Sequence, residues 1–281
     1  MIELLEPVLG APVVLEELKH KPGRRTTSRA VGPRGSAIVK VYASERAPRV
    51  AARLGTLAAG PAEPVVPDVL LWDADAHLVV LSDVSGVPLR VALLAGDLDT
   101  CARAGAVIGA WHRAWQGRSP DALVPHTVER ELEILRARME RASPEVAAAV
   151  RAVLPDVPGG DWDASTVVHR DLYEEQIMVD ERIGLIDLDD AALGPPELDV
   201  GNLVAHIDLL ALRSGTDLTA TTEAVLQGYR RTGPSLDAPL LVRCRALSLL
   251  RLACIHETLT LIDLSLAPFA TAPVHAEACD G

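Results

Sequence analysis

The run Val167-Val168-His169-Arg170-Asp171-Leu172-Tyr173-Glu174-Glu175-Gln176 places a carboxylate, Asp171, five residues before a carboxamide, Gln176. A short apolar strand, Ile183–Ile186, then leads into Asp187, Asp189 and Asp190. One carboxylate to face an attacking hydroxyl, with hard oxygen ligands for a magnesium ion nearby, is the set that phosphoryl transfer from a nucleotide requires. A fourth group stands far upstream. Lys40 lies in the alternating strand Ala37-Ile38-Val39-Lys40-Val41-Tyr42, just after the turn Gly32-Pro33-Arg34-Gly35, and it is one of only three lysines among 27 basic residues. A lysine on such a strand can clamp nucleotide phosphates.

These residues need a scaffold that brings distant segments together. Alternation and turn signals predict strands over Val13–Leu18, Arg25–Val31, Ala37–Tyr42, Val69–Trp72 and Leu78–Leu81, with a helix over Ala47–Ala59. From about residue 90 the periodicity becomes helical. Cys101, Ala104, Ile108, Trp111 and Trp115 recur at three- and four-residue spacing. Further helices are expected over Val128–Met139, Glu145–Leu154 (with Ser143 as N-cap), Glu197–Leu212, Leu218–Arg230 and Pro239–Ile262. The reading is an α+β chain of two lobes: a small antiparallel sheet with one helix over 1–82, a linker over 83–89, and a mainly helical lobe over 90–281.

In motif and order the chain resembles the aminoglycoside phosphotransferase and choline kinase family, small-molecule kinases of the protein-kinase-like fold. The resemblance implies ATP and Mg²⁺ as nucleotide and cofactor. It makes Asp171 the catalytic carboxylate and Gln176, Asp187 and Asp189 the metal ligands. Gln176 departs from the family's Asn and reaches about 1.5 Å farther. Lys40 would clamp the phosphates, Thr27 and Ser28 would cover them from a loop that lacks the glycine pattern, and Ser82 and Val84 would meet the adenine through their main chain. His169, His112 and Asp199 are read as structural, Asp199 as an N-cap that steadies the metal loop. The helix after Lys40 has Val50 and Arg53 near the place where relatives carry a glutamate. Arg24 and Arg25 are read either as phosphate contacts or, in preference, as solvated surface charge.

The formal net charge of −12 argues against nucleic-acid binding and favours a cationic acceptor by long-range attraction. That points to an antibiotic-inactivating kinase for an aminoglycoside or peptide antibiotic. The alternatives are a metabolic kinase for choline, homoserine or a sugar, and a nucleotide-binding pseudokinase without turnover. Candidate acceptor contacts are Asp190, His206, Asp208, Glu257 and Asp263. Only eleven residues separate Asp187 from Asp199, and neither D-F-G nor A-P-E occurs, which leaves no room for a peptide-docking segment. No membrane or protein partner is indicated. Cys101, Cys244, Cys254 and Cys279 show no metal-binding spacing, and Cys101 and Cys244 are expected to be buried thiols. The N-terminus has no basic start followed by a hydrophobic run, so a cytoplasmic protein is expected.

Overall fold

The structure is a computed structural model and describes residues 2–157 and 159–267. It opens with a helix that the periodicity did not flag, α1 (Ile2–Leu9). Three strands follow, β1 (Val14–Lys21), β2 (Arg25–Gly32) and β3 (Gly35–Tyr42), then α2 (Ala47–Ala58), β4 (Val69–Asp73) and β5 (Leu78–Ser82). The strands form one antiparallel sheet in the order β1-β2-β3-β5-β4.

Strand alternation gives this sheet two faces. The outer face buries Ala30, Ala37, Val39, Leu78 and Val80 against Leu5 and Leu9 of α1. On the inner side, Val79 and Leu81 join a core with Val50, Leu54 and Leu57 of α2. Tyr42 and Lys40 also belong to the inner face, which looks toward the second lobe.

The chain crosses over through β6 (Val87–Pro88) and α3 (Leu89–Ala95), where a linker was expected. Helices α4 (Leu98–Trp115), α5 (Val128–Met139) and α6 (Pro144–Val153) come next, and Ser143 caps α6 by accepting from the Val146 N–H. Three short strands, β7 (Thr166–Val168), β8 (Ile177–Val179) and β9 (Ile183–Leu185), and then β10 (Ala192–Gly194), carry the motif segments. The sheet β6-β8-β9 and the pair β10-β7 hold them in place.

Helices α7 (Pro196–Ser214), α8 (Thr219–Thr232), α9 (Ala238–His256) and α10 (Thr260–Leu266) complete the lobe. The expected single helix over 239–262 breaks at Glu257, whose φ of 52° ends α9 in the left-handed region. Glycines let α4 and α8 cross closely: a Cβ on Gly105 would meet the Val225 carbonyl, and one on Gly228 the Ala102 carbonyl.

The two lobes share one core. It runs from Val50 and Leu54 through Leu89 and Ile108 to Leu185 and Tyr229. Val65, between α2 and β4, also docks on β9, exchanging hydrogen bonds of 2.8 Å with Ile183 and Leu185. That contact fixes the first lobe against the strand that delivers Asp187. Cys101, Cys244 and Cys254 are buried free thiols, and Cys279 lies outside the described residues. Among the described residues no helix is long and apolar enough to cross a membrane.

Candidate active site

The segment that carries Asp171 leaves β7 and makes a turn at Arg170, whose φ of 71° is unusual for a residue with a side chain. Such a conformation survives only where the surroundings hold it. Here Asp199 holds it. This residue lies inside the first turn of α7, and its carboxylate accepts from the main-chain N–H of His169 at 2.6 Å and of Arg170 at 2.8 Å. His112 of α4 meets the same carboxylate at 3.1 Å. Asp199 is therefore structural, but its place differs from the expected one. Pro195 is the N-cap of α7, and the loop that Asp199 steadies is the one leading to Asp171.

Beyond that turn, the Asn202 amide donates to the Leu172 carbonyl at 2.8 Å, and Arg251 in turn donates to Asn202. Arg251 also meets Glu131 at 2.9 Å, and Glu131 meets His126 at 2.9 Å. Although burial opposes ionisation, Arg251 and His126 hold the Glu131 carboxyl down at about 2. This buried chain reaches from the catalytic loop to α5, and no sequence pattern marked its members. Asp171 stands exposed at the end of the scaffold and lines the cleft.

His169 links the two motif loops. Its Nε2–H donates to the Ile186 carbonyl at 2.8 Å, which leaves Nδ1 to face the Asp171 N–H at 3.4 Å. Gln176 is buried, and its main-chain carbonyl accepts from the Ile186 N–H at 3.0 Å, so it sits beside the residue that precedes Asp187. Asp187 itself has a left-handed φ of 61°.

The acidic loop and the sheet meet in one charge cluster. Lys40 Nζ donates to Asp187 at 2.9 Å and to Asp189 at 2.6 Å. Tyr42 Oη donates to the other oxygen of Asp189 at 2.7 Å. Arg25 spans both acids, at 2.6 Å to Asp187 and 2.5 Å to Asp189. Despite the cost of burying it, Lys40 and Arg25 hold the Asp187 carboxyl far below the ordinary carboxylate range. Burial and Asp189 push the Tyr42 hydroxyl well above its ordinary value.

Two expectations change here. Arg25 is a cleft residue with a side chain 14% exposed, not solvated surface charge. Asp189, expected as a metal ligand, is 2% exposed and engages three donors. It supplies the acid that Lys40 lacks on α2. At the helix position itself Arg53 donates to the Asp189 carbonyl, locking the same loop from the other side.

Register decides two more residues. Thr27 pairs with both Lys40 and Lys19 across the sheet, so it shares their cleft face. Ser28 pairs with Val39, which is buried under α1, so its side chain belongs to the opposite face. Both residues lie in β2, in line with the strand expected over Arg25–Val31, and not in a loop that covers phosphates. Counting the alternation back from Lys40 through the Gly32–Gly35 turn would have shown this. Ser82 ends β5, with its N–H and Oγ both bonded to the Asp68 main chain. Val84 has no main-chain partner among the described residues and packs toward Gly184.

The cleft is a cavity of about 1010 Å³. Of the expected acceptor contacts, Asp190 and His206 line it. Asp190 pairs with Arg46 at 2.6 Å, and His206 stacks on Tyr173 with ring centres 4.6 Å apart. Burial, with nearby Arg251 and Arg213, lowers His206 to about 3. The other three lie elsewhere. Asp208 binds Arg245 at 2.8 Å, Glu257 accepts from the Ser143 N–H at the start of α6, and Asp263 is exposed on α10. The lining is rich in arginine, opposite in sign to the chain as a whole. The lining thus has the opposite sign to the net charge from which a cationic acceptor was expected.

A five-stranded sheet lobe and a helical lobe around a cleft lined by Asp171 and Asp187, with Lys40 bonded to Asp187, define a protein-kinase-like fold. Residues 22–238 match the phosphotransferase enzyme family, APH, and the chain belongs to it: it is a small-molecule phosphotransferase. Comparison with the curated proteins gives no match in sequence. Solved structures show the same fold at low identity. Aminoglycoside phosphotransferase APH(3'')-Id from Streptomyces rimosus is 18% identical over 88% of this chain and 96% of its own, with a TM-score of 0.65. Choline kinase LicA from Streptococcus pneumoniae is 15% identical over 95% and 91%, with a TM-score of 0.62. Amicoumacin kinase hAmiN, solved with AMP-PNP, Ca²⁺ and Ami, is 15% identical over 88% and 82%, with a TM-score of 0.62.

Proposed function

We propose that the protein transfers the γ-phosphoryl group of ATP to a hydroxyl of a small molecule, with Asp171 as the catalytic carboxylate. The observation that carries this reading is the convergence of Asp171 and Asp187 on one cleft, with Lys40, from a strand far away in sequence, bonded to Asp187 beneath it. Asp171 accepts a hydrogen bond from the acceptor hydroxyl and takes its proton as the oxygen attacks phosphorus. The bond from the γ-phosphorus to the bridging oxygen breaks, and ADP leaves with the electron pair. Lys40 and Arg25 lie where the triphosphate's charge would fall, and Thr27 shares their face. Positioning and charge neutralisation supply most of the catalysis in such a reaction.

The donor set at the acidic loop fits a magnesium ion. Asp187 is 22% exposed, opens on the cleft and already draws two cations to its oxygens, and the Gln176 main chain is bonded to Ile186, the residue before it. No group of three or more His, Cys, Asp or Glu side chains among the described residues is set to hold a metal. Magnesium commonly takes one or two carboxylates and completes its shell with water and substrate phosphates. Asp187 and Gln176 would hold it, and its charge would offset that of the β- and γ-phosphates.

The pseudokinase alternative rested on Gln176 in place of the family's Asn and on the missing helix glutamate for Lys40. Asp189 supplies an acid partner for Lys40, so the active-enzyme reading is preferred. The test is ADP release over a panel of hydroxylated compounds with Mg²⁺ present. Turnover should vanish in Asp171→Ala and Asp187→Ala while both variants stay folded by circular dichroism. Full activity in both would end the assignment.

A further inference from the structure

The cavity wall beyond Asp171, away from Lys40, is built by α5, α7 and α9. These helices contribute four arginines (Arg130, Arg138, Arg213, Arg251), two histidines and an apolar surface that includes Ile134, Leu209 and Ile255. Among the described residues they contribute no carboxylate to the lining. The acids that do line the cavity come from the motif segments, and most are already engaged. Asp187 is held by Lys40 and Arg25, Asp190 by Arg46, and Glu175 by Arg90 at 3.3 Å. Glu174 is buried, and burial raises it to about 7, so that only about half of it carries charge at pH 7. Asp171 remains as the free acid.

The cations do not balance in the same way. The side chain of Arg138, in the last turn of α5, has no hydrogen bond or ion pair among the described residues, and neither do the side chains of Arg24 and Lys21 at the β1–β2 turn. Arg138 and Arg24 reach the same space from opposite lobes. Burial comes first in lowering the Arg138 guanidinium from its ordinary value, followed by repulsion from Arg24 and Arg251, with Asp171 opposing. Like charges brought together across a cleft without a counter-ion raise the free energy of the closed form, and a bound anion removes that repulsion. A choline or aminoglycoside pocket needs the reverse arrangement, with carboxylates facing the ammonium groups.

We infer that the acceptor is a hydroxylated anion, a carboxylate or phosphate ester with an apolar part, whose negative group is seated between Arg138 and Arg24 beside Asp171. This rests on the proposed phosphotransfer reading and adds the substrate class. The anionic group lies against the guanidinium pair, the apolar part against Ile134 and Ile255, and the hydroxyl at Asp171. Planar guanidinium groups suit carboxylate and phosphate oxygens through paired N–H donors.

The test uses the full chain saturated with AMP-PNP and Mg²⁺, so that nucleotide sites are filled first. Inorganic phosphate is then titrated against chloride of equal ionic strength, with choline and kanamycin as cationic probes, and thermal stability is followed. Phosphate should raise Tm by several degrees above the chloride control, and neither cation should. Arg138→Gln combined with Arg24→Gln should remove at least half of the phosphate shift and leave the AMP-PNP shift intact. The single Arg24→Gln variant, on an exposed turn, guards against misfolding and should show a partial loss. No phosphate shift, an undiminished shift in the double variant, or stabilisation by choline or kanamycin would each overturn the inference. Absence of the AMP-PNP shift itself would instead overturn the phosphotransfer reading.

Discussion

Replacing Asp189 by Asn removes the charge that holds Lys40 and keeps nearly the same shape. The two side chains are 5% and 2% exposed and meet at 2.6 Å, and Asp189 also binds Tyr42 and Arg25. Breaking a buried pair by neutralising one member costs roughly 3–5 kcal/mol. Asp187 stays at 2.9 Å from Lys40 and Asn can still hydrogen-bond, so about 2 kcal/mol is expected, a Tm lower by roughly 4–8 °C. Lys40 would also lose its fixed position, and affinity for AMP-PNP should fall about tenfold, or ~1.4 kcal/mol. Titration with and without Mg²⁺ separates this role from metal ligation. An anchor for Lys40 weakens nucleotide binding in both conditions, whereas a metal ligand does so only when Mg²⁺ is present. The double variant Lys40→Met/Asp189→Asn should bind no worse than Lys40→Met alone, a coupling of at least ~1 kcal/mol. Additive losses, or a defect confined to magnesium-containing buffer, would refute the reasoning.

Three further outcomes follow from buried groups. Burial raises Glu174 to about 7, and one of its oxygens has no hydrogen-bond partner. A carboxyl raised in the fold contributes its stability below the unfolded value near 4.5 and loses it as pH rises through 7. Glu174→Gln should therefore raise stability by about 1–3 kcal/mol at pH 8 and leave it unchanged at pH 4, read by urea unfolding. Asp199→Ala would strand two buried N–H donors, each at about 1–3 kcal/mol, and should lower stability by about 2–5 kcal/mol while abolishing turnover; Asp199→Asn, with one acceptor kept, should fall between. Gly228→Ala would set a methyl group against the Ala102 main chain, where only helix separation can relieve it, and about 3 kcal/mol should be lost in thermal unfolding.

Much of the architecture could be read from local signals. The alternation of Ala37–Tyr42 and the turn before it gave β3 and placed Lys40, and the three- and four-residue spacing of Cys101 to Trp115 gave most of α4. The order of Asp171, Gln176 and Asp187 around a short apolar strand identified the motif loops, because catalytic spacing there is set within one continuous segment. Such features depend on neighbours in sequence, so the sequence determined them by itself.

Other features depend on residues that meet only after folding. Asp189 pairs with Lys40 across 149 positions, and no local pattern distinguishes a buried partner of a lysine from a metal ligand in the same acidic run. α1 was missed because a short segment with an internal Pro7 gains its stability from the sheet face it covers. The net charge of −12 gave the wrong sign for the cleft, since summed charge carries no information on where each charge lies. Arg24, Arg138 and Arg251 come from a hairpin and two helices and share a cavity only through tertiary packing. The order of the motif residues was thus legible in sequence, while the partner of Lys40 and the charge of the cleft lining were decided by which distant side chains the fold brought within a few ångströms.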